Sequence, residues 1–446
     1  MWPGLAQDLT ERWIVHGDFL LAPPQEPFNF ICGNPPYVRI EQLSREIQQV
    51  YRSRYRTLFD RADLYVAFIE RSLELAATDG VVAFICADRW VLNRYGAPLR
   101  DIVTRDFSVR HYVDLHQASP FESEVIAYPS IFVFQRQPVA HTMVSRLSVA
   151  DQEECGALSR VVTGTGNLET ANTTGHRYPL WFSGDDPWIL SSPEHLRALR
   201  DLEARHQPLE AHGNTKVRIG VATGADKFFI VKADADIERD RLVPLVMRED
   251  LDRGRIRWSE RFVINTFGDD GTVISIDDYP DLRRYAQAHE DRLRRRHVAK
   301  KSPNRWFRTI DRVYPELVAR PKLLIPDIAG SNEVVFDKGE YFPHHNLYYV
   351  LSDTWDLEVL GGLLSSRVAL FFVWSYAVKM RGGYLRFQAQ YLRRIRVPDP
   401  STLDRTLGRR IRQAFRERDF PTLDTLALQA YGLGSLPEFE FVDTRR

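Results

Sequence analysis

The feature that most constrains this chain is an apolar run that ends at two adjacent prolines. The run from Phe28 to Gly33 passes directly into the tetrapeptide Asn34-Pro35-Pro36-Tyr37. Proline has no N–H group and a fixed φ, so regular structure does not continue through this tetrapeptide. We therefore predict a buried strand over Phe28–Gly33 that ends in a stiff loop. In open α/β sheets, ligands bind at the carboxyl ends of such strands.

The tetrapeptide carries groups that can hold a nucleobase. The Asn34 amide oxygen can accept a hydrogen bond from an exocyclic amino group, and the stiff turn leaves the carbonyls of Pro35 and Pro36 available as further acceptors. Tyr37 offers a flat face for stacking. An amine held in this way needs an activated methyl donor, and S-adenosylmethionine (SAM) is the usual one. The alternative is a rigid turn without chemistry, because Asn-Pro and Pro-Pro are common turn dipeptides.

Composition sets broad limits. The 446 residues, 44% hydrophobic and 27% charged, suit a globular protein of two or three domains. The formal net charge of +0 does not by itself indicate a nucleic-acid partner. Cys32, Cys86 and Cys155 lie far apart, which predicts reduced, buried thiols in a cytoplasmic protein without disulfides. His344-His345 is an adjacent pair rather than a pair at metal-ligand spacing, so we predict no metal site.

Neither the N-terminal segment nor the most apolar segment of the chain predicts a membrane protein. Met1 to Ile14 is polar and interrupted, unlike a signal peptide. The most apolar long segment, Val359 to Val378, carries Arg367 near its middle. A spanning helix rarely places a charge there, so we predict a buried helix and no membrane partner.

Strands and helices alternate in the first third of the chain. Trp13-Ile14-Val15 is predicted to be a short strand that leads to Asp18, whose carboxylate would suit the adenine or ribose of a cofactor. A turn aspartate is the alternative. Further predicted elements are a helix from Asp63 that ends at Asp79-Gly80, a central strand over Val81 to Cys86, a helix over Tyr95 to Asp106, a strand at Tyr112-Val113 and an edge strand over Tyr128 to Phe134. This alternation predicts a doubly wound α/β layer. Arg39 to Phe59 is interpreted either as a mobile flap or as a solvated connection.

Several of these segments together resemble one enzyme family. Gly17-Asp18-Phe19-Leu20, Asn34-Pro35-Pro36-Tyr37, Asp63-Leu64-Tyr65-Val66-Ala67-Phe68, Asp79-Gly80-Val81-Val82-Ala83-Phe84, and Phe121 with Tyr128-Pro129-Ser130-Ile131 follow the order and spacing of gamma-class N6-adenine DNA methyltransferases of restriction-modification and phage-defence systems. The resemblance covers residues 12–136 well, and several ordered motifs are more specific than any single one. It implies a partial Rossmann-like, SAM-dependent methyltransferase sheet.

The resemblance also implies roles for individual residues. Asn34 and the Pro35 carbonyl would bind N6 of the target adenine, and Tyr37 would stack on the flipped base. Phe121 resembles a second aromatic contact to that base. Asp18, Phe19 and Phe68 resemble SAM contacts, and Pro36 completes the expected site residues. For Phe68 and Phe121, a core aromatic without a site role is the alternative.

The family's glycine-rich SAM turn, of the form Asp-Pro-x-x-Gly-Ser-Gly, is not found in this sequence. Glycine is needed there because the backbone approaches the cofactor closely. The chain thus resembles the carboxyl-terminal part of a methyltransferase. We expect a protein subunit or segment that carries the missing motif, since a sheet without its central strand exposes an unpaired edge.

The second half of the chain is expected to recognise DNA. Gln137 to Tyr178 is predicted to be a weakly structured linker, Ser192-Pro193 to begin a helix that reaches Ala204, and Val217 to Val231 to form a hairpin. Residues 216–398 resemble, more softly, the target-recognition domain of this class. We expect domains at 1–140 (catalytic part), 141–190 (linker) and 191–446 (an α+β domain that recognises double-stranded DNA).

Two basic segments suit phosphate contacts. The first, between Arg283 and Arg312, contains Arg292, Arg294, Arg295, Arg296, Lys300, Lys301, Arg305 and Arg308. A solvated helix face is its alternative. The second, from Lys379 to Pro398, contains Arg381, Gly382, Gly383 and Arg386, and its glycines would let the backbone approach DNA. Pro326-Asp327 lacks a following Glu-x-Lys, so no nuclease is predicted.

The expected function is therefore SAM-dependent methylation of N6 of a flipped adenine in duplex DNA. Two alternatives remain open. A catalytically silent DNA-recognition subunit would keep binding and lose transfer. Enzymes that methylate protein glutamine or RNA guanine also carry Asn-Pro-Pro-Tyr, but the large basic second half of this chain argues against them.

Overall fold

The structure is a computed structural model that describes residues 10, 13–23, 26–118, 129–163, 173–179, 181–182, 184–189, 191–330, 333–377, 384–439 and 441. The chain divides into two compact units, Met1–Leu196 and Arg197–Arg446. The first has the predicted α/β class, and the second mixes small sheets with helices, so both fold classes are confirmed.

A mixed six-stranded sheet lies at the centre of the first unit. Its strands are β1 (Phe28–Gly33), β2 (Ala76–Ala87), β3 (Ser108–Asp114), β4 (Pro129–Gln135), β5 (Thr142–Leu147) and β6 (Thr173–Tyr178). The spatial order is β1-β2-β4-β3-β5-β6. β1 is parallel to β2, and β3 to β5, while β4 is antiparallel to both of its neighbours. The carboxyl ends of β1, β2, β3 and β5 therefore lie along the same edge.

Helices connect these strands. They are α1 (Arg45–Arg54), α2 (Tyr65–Leu75), α3 (Arg89–Leu92), α4 (Ala97–Asp106) and α5 (Gln152–Val162). A further helix, α6 (Pro193–Arg205), follows the last strand and includes the boundary between the two units. In α2, Val66, Ile69 and Leu73 are spaced by three and four residues and are almost fully buried, as the apolar spacing predicts. The helix end predicted at Asp79-Gly80 is wrong: α2 ends at Leu75, and β2 begins at Ala76, which pairs with Phe28 of β1. α6 begins where predicted, and the Ser192 hydroxyl accepts a hydrogen bond from the His195 amide at 3.2 Å.

The strands predicted at Phe28–Gly33, Val81–Cys86 and Tyr112-Val113 are confirmed within β1, β2 and β3. The strand predicted at Trp13-Ile14-Val15 is wrong: these side chains are 76%, 67% and 78% exposed, and residues 14–16 are irregular. Apolar β-formers make a strand only where a neighbouring strand takes up their backbone hydrogen bonds.

Two further expectations for this sheet are wrong. The run ending at Phe134 forms β4, which is a central strand because it pairs with both β2 and β3. Its alternating pattern reflects one face that is less fully covered, not an edge position. The segment from Gln137 to Tyr178, expected to be weakly structured, instead supplies β5, α5 and β6. Its polar residues misled because a strand at the margin of a sheet needs few apolar side chains.

The second unit is built around two four-stranded sheets. Its strands are β7 (Gln207–Pro208), β8 (Lys216–Ile219), β9 (Ile230–Lys232), β10 (Leu242–Val246), β11 (Leu251–Asp252), β12 (Arg255–Ile256), β13 (Arg261–Ile264), β14 (Lys322–Pro326), β15 (Ile328–Ala329), β16 (Val335–Asp337), β17 (Phe342–Pro343), β18 (Leu347–Leu351), β19 (Leu385–Arg386) and β20 (Arg396–Val397). The sheets have the orders β17-β10-β13-β9 and β16-β14-β18-β8, and the remaining strands form pairs.

The helices of the second unit are α7 (Asp226–Phe229), α8 (Pro280–Gln287), α9 (Glu290–Arg294), α10 (His297–Lys301), α11 (Leu357–Leu364), α12 (Arg367–Tyr376), α13 (Ala389–Leu392), α14 (Arg405–Glu417) and α15 (Phe420–Ala430). The hairpin predicted over Val217 to Val231 is wrong, because β8 pairs with β18 and β9 with β13, in different sheets. The intervening Thr-Gly-Ala-Asp carries the chain from one sheet to the other.

The apolar segment predicted as one buried helix forms two. α11 and α12 are mostly buried and meet at an angle of 58°. Ser365 and Ser366 separate them, and Ser366 caps α12 by accepting a hydrogen bond from the Ala369 amide. Within the described residues, no single helix has the length and apolar composition to cross a membrane, and only this bent pair passes that test jointly.

Candidate functional site

The tetrapeptide lies at the carboxyl end of β1, as predicted. Asn34 and Pro36 are exposed, Pro35 is buried and Tyr37 is partly buried. Asn34 is exposed, and its amide forms no hydrogen bond with any residue that the structure describes. An exposed, unpaired amide next to a stiff proline turn is suited to bind a ligand.

Two main-chain contacts fix the segment that follows the tetrapeptide. The Leu64 amide donates to the Val38 carbonyl at 2.7 Å, and the Ile40 amide donates to the Ala62 carbonyl at 3.0 Å. On the other side, Gly33 packs so closely that a Cβ there would lie 2.8 Å from the Phe84 ring. The loop is therefore anchored on both sides, which limits how far Asn34 can shift.

A tyrosine network lies behind Tyr37. The Tyr37 and Tyr65 rings are 6.3 Å apart, and the Tyr65 and Tyr95 hydroxyls are 2.5 Å apart. Tyr95 donates to the Asp63 carboxylate at 3.4 Å. Burial, with a smaller contribution from Cys86, raises the pKa of Tyr37 to about 12, so the ring stays an uncharged phenol at neutral pH. No role was predicted for Tyr65 or Tyr95 from the sequence, although Tyr65 stands inside one of the family motifs.

The predicted cofactor residues Asp18, Phe19 and Phe68 come together in the first unit. The Phe19 and Phe68 rings stack with centroids 5.2 Å apart, and both are partly buried. Asp18 is exposed; its Oδ2 accepts a hydrogen bond from the Tyr51 hydroxyl at 2.6 Å and its Oδ1 accepts one from the Leu20 amide at 2.9 Å. Each carboxylate oxygen can accept a further hydrogen bond.

These three residues fit the adenine end of SAM. An exposed carboxylate beside a partly open aromatic stack offers both an acceptor for amino or hydroxyl groups and a surface for a purine. The glycine-rich turn that would approach the methionine end is not among the 446 residues of the sequence. The described residues therefore offer suitable groups for only one part of the cofactor, and their role as SAM contacts stays a prediction.

The segment from Arg39 to Phe59 contacts the loop that carries Asp18. It forms α1, which is capped by Ser44. Besides the contact between Tyr51 and Asp18, the Tyr55 hydroxyl donates to the Leu20 carbonyl at 2.5 Å. Of the two interpretations of the segment, flap or solvated connection, neither anticipated that its tyrosines would hold the Asp18 loop.

A second polar cluster lies at the same sheet edge and was missed from sequence. The Asp88 carboxylate, just after β2, accepts from the Tyr112 hydroxyl at 2.7 Å and lies 2.8 Å from His116 Nε2. Asp114, at the end of β3, accepts from the Arg146 guanidinium at 2.9 Å. Burial acts to lower the pKa of His116, but the hydrogen bond and charge of Asp88 outweigh it and raise that pKa overall. The sequence did carry one signal for this cluster, because an acidic residue stands at the carboxyl end of both β2 (Asp88) and β3 (Asp114).

Of the DNA contacts predicted at Phe121 and in the second basic segment, the structure describes only Arg386. Phe121, Arg381, Gly382 and Gly383 lie outside the described residues. Arg386 forms a bidentate pair with Asp327, through Nε at 3.1 Å and Nη2 at 2.6 Å. The guanidinium of Arg386 thus joins β19 to the turn after β14, and its predicted role as a DNA contact stays a prediction.

The first basic segment separates into structural and exposed members. Arg296 is partly buried and donates to the carbonyls of Thr223, Trp306 and Arg308; burial and the Arg308 charge lower its pKa to about 10. Arg294 pairs with Glu290 at 2.6 Å. The members that are exposed and form no ion pair within the described residues are Arg292, Arg295, Lys300, Lys301 and Arg305.

The cysteines form no disulfide, but the expectation that all are buried is wrong. Cys86 is buried, whereas Cys32 and Cys155 are exposed. Cys32 lies on β1, whose residues are mostly exposed despite their apolar character. The apolar residues around Cys32 therefore did not indicate that this cysteine is buried.

Comparison with known proteins identifies both units. Residues 11–121 match the Eco57I restriction-modification methylase family, and residues 244–397 match the TaqI-like C-terminal specificity domain. The chain is 45% identical over 444 residues to the type II methyltransferase M.BstVI of Geobacillus stearothermophilus, covering 97% of this chain and 79% of that protein. It is also 45% identical over 429 residues to M.PaeR7I of Pseudomonas aeruginosa, covering 96% and 74%.

The fold has a counterpart among solved structures. The type IIL restriction-modification enzyme MmeI, solved in complex with DNA, matches 92% of this chain and 55% of its own with a TM-score of 0.59 at 12% identity. At that identity the likeness concerns the fold alone. The identities to the methyltransferases, over nearly the whole chain, go further. The chain belongs to the Eco57I-type restriction-modification methylases, the SAM-dependent type II DNA methyltransferases.

Proposed function

We propose that this chain transfers a methyl group to N6 of an adenine flipped out of duplex DNA. The observation that carries the proposal is the exposed Asn34 amide, unpaired within the described residues, on an anchored loop at the carboxyl edge of the sheet. The Eco57I-type family and the specificity domain support DNA as the substrate. MmeI, which shares the fold, was solved with DNA bound.

Asn34 and Pro35 position the nucleophile. The Asn34 amide oxygen and the Pro35 carbonyl would each accept one hydrogen of the adenine amino group. Two acceptors on one NH2 group turn its nitrogen from planar towards tetrahedral and direct the lone pair away from the ring. That nitrogen would then form the new N–C bond as the bond between the methyl carbon and the sulfonium sulfur breaks and leaves a neutral thioether. The nitrogen would lose one proton to solvent, so the site needs no strong base. Its main contribution is orientation.

Tyr37 supplies the stacking surface. Its hydroxyl is buried without a hydrogen-bond partner among the described residues, and the raised pKa keeps it neutral. The Tyr65 ring packs next to it, with the two ring centroids 6.3 Å apart. A neutral ring fixed in this way can stack on a flipped base without a charge change, at about 1–3 kcal/mol per base.

The cofactor supplies an electrophilic methyl group on a sulfonium. Asp18, Phe19 and Phe68 would hold its adenine end, by hydrogen bonds to the carboxylate and by contact with the stacked rings. We infer that a further polypeptide segment with a glycine-rich turn holds the methionine end. In cis or in trans, that segment would pair with β1.

The exposed side chains of β1 support this inference. Among the described strands, β1 pairs with β2 alone. Phe30 is 82% exposed and Phe28 is 42% exposed, and Trp13, Ile14 and Val15 add further exposed apolar surface in the same unit. An unpaired edge with exposed aromatic residues is a liability unless another strand covers it. The relatives M.BstVI and M.PaeR7I contain sequence that this chain does not match, since it covers 79% and 74% of them.

The first experiment tests methyl transfer with unmethylated plasmid DNA and radiolabelled SAM. The products are analysed as nucleosides by mass spectrometry, with the chain supplied together with the glycine-rich segment. We expect N6-methyladenine, and Asn34→Ala should lower its formation at least about 100-fold while plasmid affinity changes less than about twofold.

Asn29→Ala is the matched control, because Asn29 lies on the same strand away from the active edge and donates to Asp79 at 3.3 Å. It should leave transfer nearly unchanged. Methyl groups found on cytosine would contradict the proposed target, and equal losses in the two asparagine variants would contradict the role of Asn34.

A SAM titration of the chain with and without the added segment tests the completion of the site. Binding only in the mixture supports the inference, and Phe30→Asp should then weaken binding because it places a charge at the joining edge. No SAM binding in the mixture, combined with intact sequence-specific DNA binding, would favour a silent DNA-recognition subunit.

A further inference from the structure

Three metal-ligand side chains from distant segments meet in the second unit. Asp226 begins α7, and His344-His345 follows β17 directly. One carboxylate oxygen of Asp226 and one ring nitrogen of each histidine all lie within 4.8 Å of one another. This group is separate from the methyl-transfer residues, all of which belong to the first unit.

The main chain brings these segments together. Val221 forms a parallel bridge with His344: the Val221 amide donates to the Pro343 carbonyl at 2.9 Å, and the His345 amide donates to the Val221 carbonyl at 3.0 Å. At Gly220 a Cβ would lie only 2.2 Å from the His344 carbonyl oxygen. The close approach therefore requires glycine, and the meeting of the two segments does not depend on flexible side chains.

His344 is a buried polar side chain whose ring nitrogens form no hydrogen bond of good geometry with the described residues. It is 2% exposed, and neither ring nitrogen makes a hydrogen bond with the described residues. Its Nε2 lies 3.4 Å from Asp226 Oδ2. A buried imidazole in this state is costly, and a bound ion would satisfy one of its ring nitrogens.

The carboxylate of Asp226 is oriented by a neighbour. The buried Thr223 hydroxyl donates to Asp226 Oδ1 and accepts from the Ala225 amide at 3.1 Å. Oδ2 is thereby left on the His344 side. Hydrogen bonds of this kind commonly orient carboxylates that bind metals.

We infer that Asp226, His344 and His345 bind one divalent first-row transition metal ion, with zinc the best match. Two imidazoles and a carboxylate are ordinary zinc ligands, and a fourth position can hold water. Ligands of zinc lie about 3.5 Å apart, closer than the 4.8 Å spread of these atoms. Asp226 Oδ2 and His344 Nε2 are already 3.4 Å apart, so rotation of the exposed His345 side chain would close the difference. The ion would join the loop before α7 to the end of β17.

The test uses the full chain without a histidine tag, stripped with a chelator and titrated with Co²⁺, with visible absorbance as the signal. Zn²⁺ is then titrated in competition. We expect one ion per chain and a Co²⁺ spectrum that Zn²⁺ abolishes. Asp226→Asn and His345→Ala should each weaken binding at least tenfold, and Thr223→Ala by about tenfold.

His297→Ala is the control, because His297 is exposed in the same unit and lies outside the cluster. It should leave the affinity unchanged. Asp226 and His345 are preferred to the buried His344 as test positions, because their replacement should leave the fold intact. The inference is overturned if the stripped chain takes up no Co²⁺, or if Asp226→Asn and His345→Ala bind it as tightly as the parent chain.

Discussion

Two short strands, one in each unit, show an inverted relation between polarity and burial. β1 has the apolar sequence Phe-Asn-Phe-Ile-Cys-Gly, yet five of its six residues are exposed. β14, Lys-Leu-Leu-Ile-Pro, is buried throughout, and its Lys322 side chain is 0% exposed. The aromatic Phe30 is thus 82% exposed, whereas the charged Lys322 is fully buried.

The difference lies in what surrounds each strand. β14 has β16 and β18 on its two sides, and Lys322 Nζ donates to Asp337 at 2.8 Å and to the Arg320 carbonyl at 2.8 Å. β1 has only β2 beside it among the described strands. Position in a sheet therefore decides burial, and hydrogen bonding decides whether a buried charge is tolerated. We infer that the edge of β1 that lies away from β2 pairs with a strand of another segment, whereas β14 is already paired on both edges.

The largest effect is expected when the buried pair of β14 is broken. Asp337→Ala should reduce the stability of the second unit by about 3–5 kcal/mol, because it leaves the Lys322 ammonium unpaired in the interior. Lys322→Met should cost less, since Asp337 also accepts from the amides of Gly339 and Glu340 at 3.0 and 2.9 Å. Urea unfolding followed by hydrogen exchange of the β14 peptides measures both.

The control is the exposed pair formed by Lys338 and Glu340 at 3.3 Å. Lys338→Ala should cost less than about 1 kcal/mol. If Asp337→Ala were no more destabilising than Lys338→Ala, the contrast drawn for β14 would be wrong.

A pH effect is expected from a buried group that, unlike Lys322, lacks a partner within the described part of the chain. His111 on β3 is 7% exposed, and its ring nitrogens make no hydrogen bond with the described residues. Burial, with Arg110 and His141, lowers its pKa from 6.5 to about 4. The unfolded chain therefore binds more protons between these values, and stability present above pH 6.5 is lost as the pH falls towards 4. The loss should reach about 2–3 kcal/mol.

Urea midpoints of the first unit at pH 7 and pH 4.5 measure this loss. His111→Leu should reduce the pH dependence. His116 has a raised pKa, so its contribution has the opposite sign: it is present at low pH and lost as the pH rises through the folded pKa. An unchanged pH slope in His111→Leu would show that another group is responsible.

A smaller effect is expected at the end of β1, where the exposed strand meets the core. Gly33→Ala would place a Cβ 2.8 Å from the buried Phe84 ring, at a cost of about 1–2 kcal/mol. It should also displace Asn34 and slow methyl transfer. The double variant Gly33→Ala with Phe84→Leu should recover part of both losses. Gly17→Ala is the control, since its Cβ would meet nothing within 4 Å. Thermal unfolding and transfer rates give the two readouts.

The smallest effect is expected on the exposed face of β1. Phe30→Ser should change the stability of the chain alone by less than about 0.5 kcal/mol. Leu324→Ala in β14, where the side chain is 0% exposed, should cost about 2–5 kcal/mol. Denaturant titration compares the two variants. A large loss in Phe30→Ser would mean that β1 is already covered and would contradict the open edge.

The local sequence predicted where helices and strands lie better than it predicted which strands pair with each other. β1, α2 and β3 follow from apolar runs and helical spacing, which depend on nearby residues. The same signals failed at Trp13-Ile14-Val15, at β4 and in the segment from Val217 to Val231. In each case the error concerned which strand pairs with which, and strand pairing joins residues far apart in the chain.

The candidate site shows the same division. The motifs predicted site roles for Asn34, Tyr37, Asp18, Phe19 and Phe68, because each stands in a recognisable local pattern, and those roles stay predictions. The contacts around them were not predicted: Tyr51 hydrogen-bonds to Asp18 across 33 positions. In the separate polar cluster at the same sheet edge, Asp88 likewise pairs with His116 across 28 positions. No periodicity links such pairs.

By itself, the sequence determined the α/β class of the first unit, the strand that carries Asn-Pro-Pro-Tyr and the family to which the chain belongs. These conclusions rest on apolar periodicity and on motifs whose residues are close in the chain. Only the tertiary structure decided that β1 is exposed, that Arg296 and Arg386 are bonded within the protein, and that Asp226 lies beside His344. Burial, charge pairing and ligand geometry depend on long-range packing, which brings together residues that are distant in sequence.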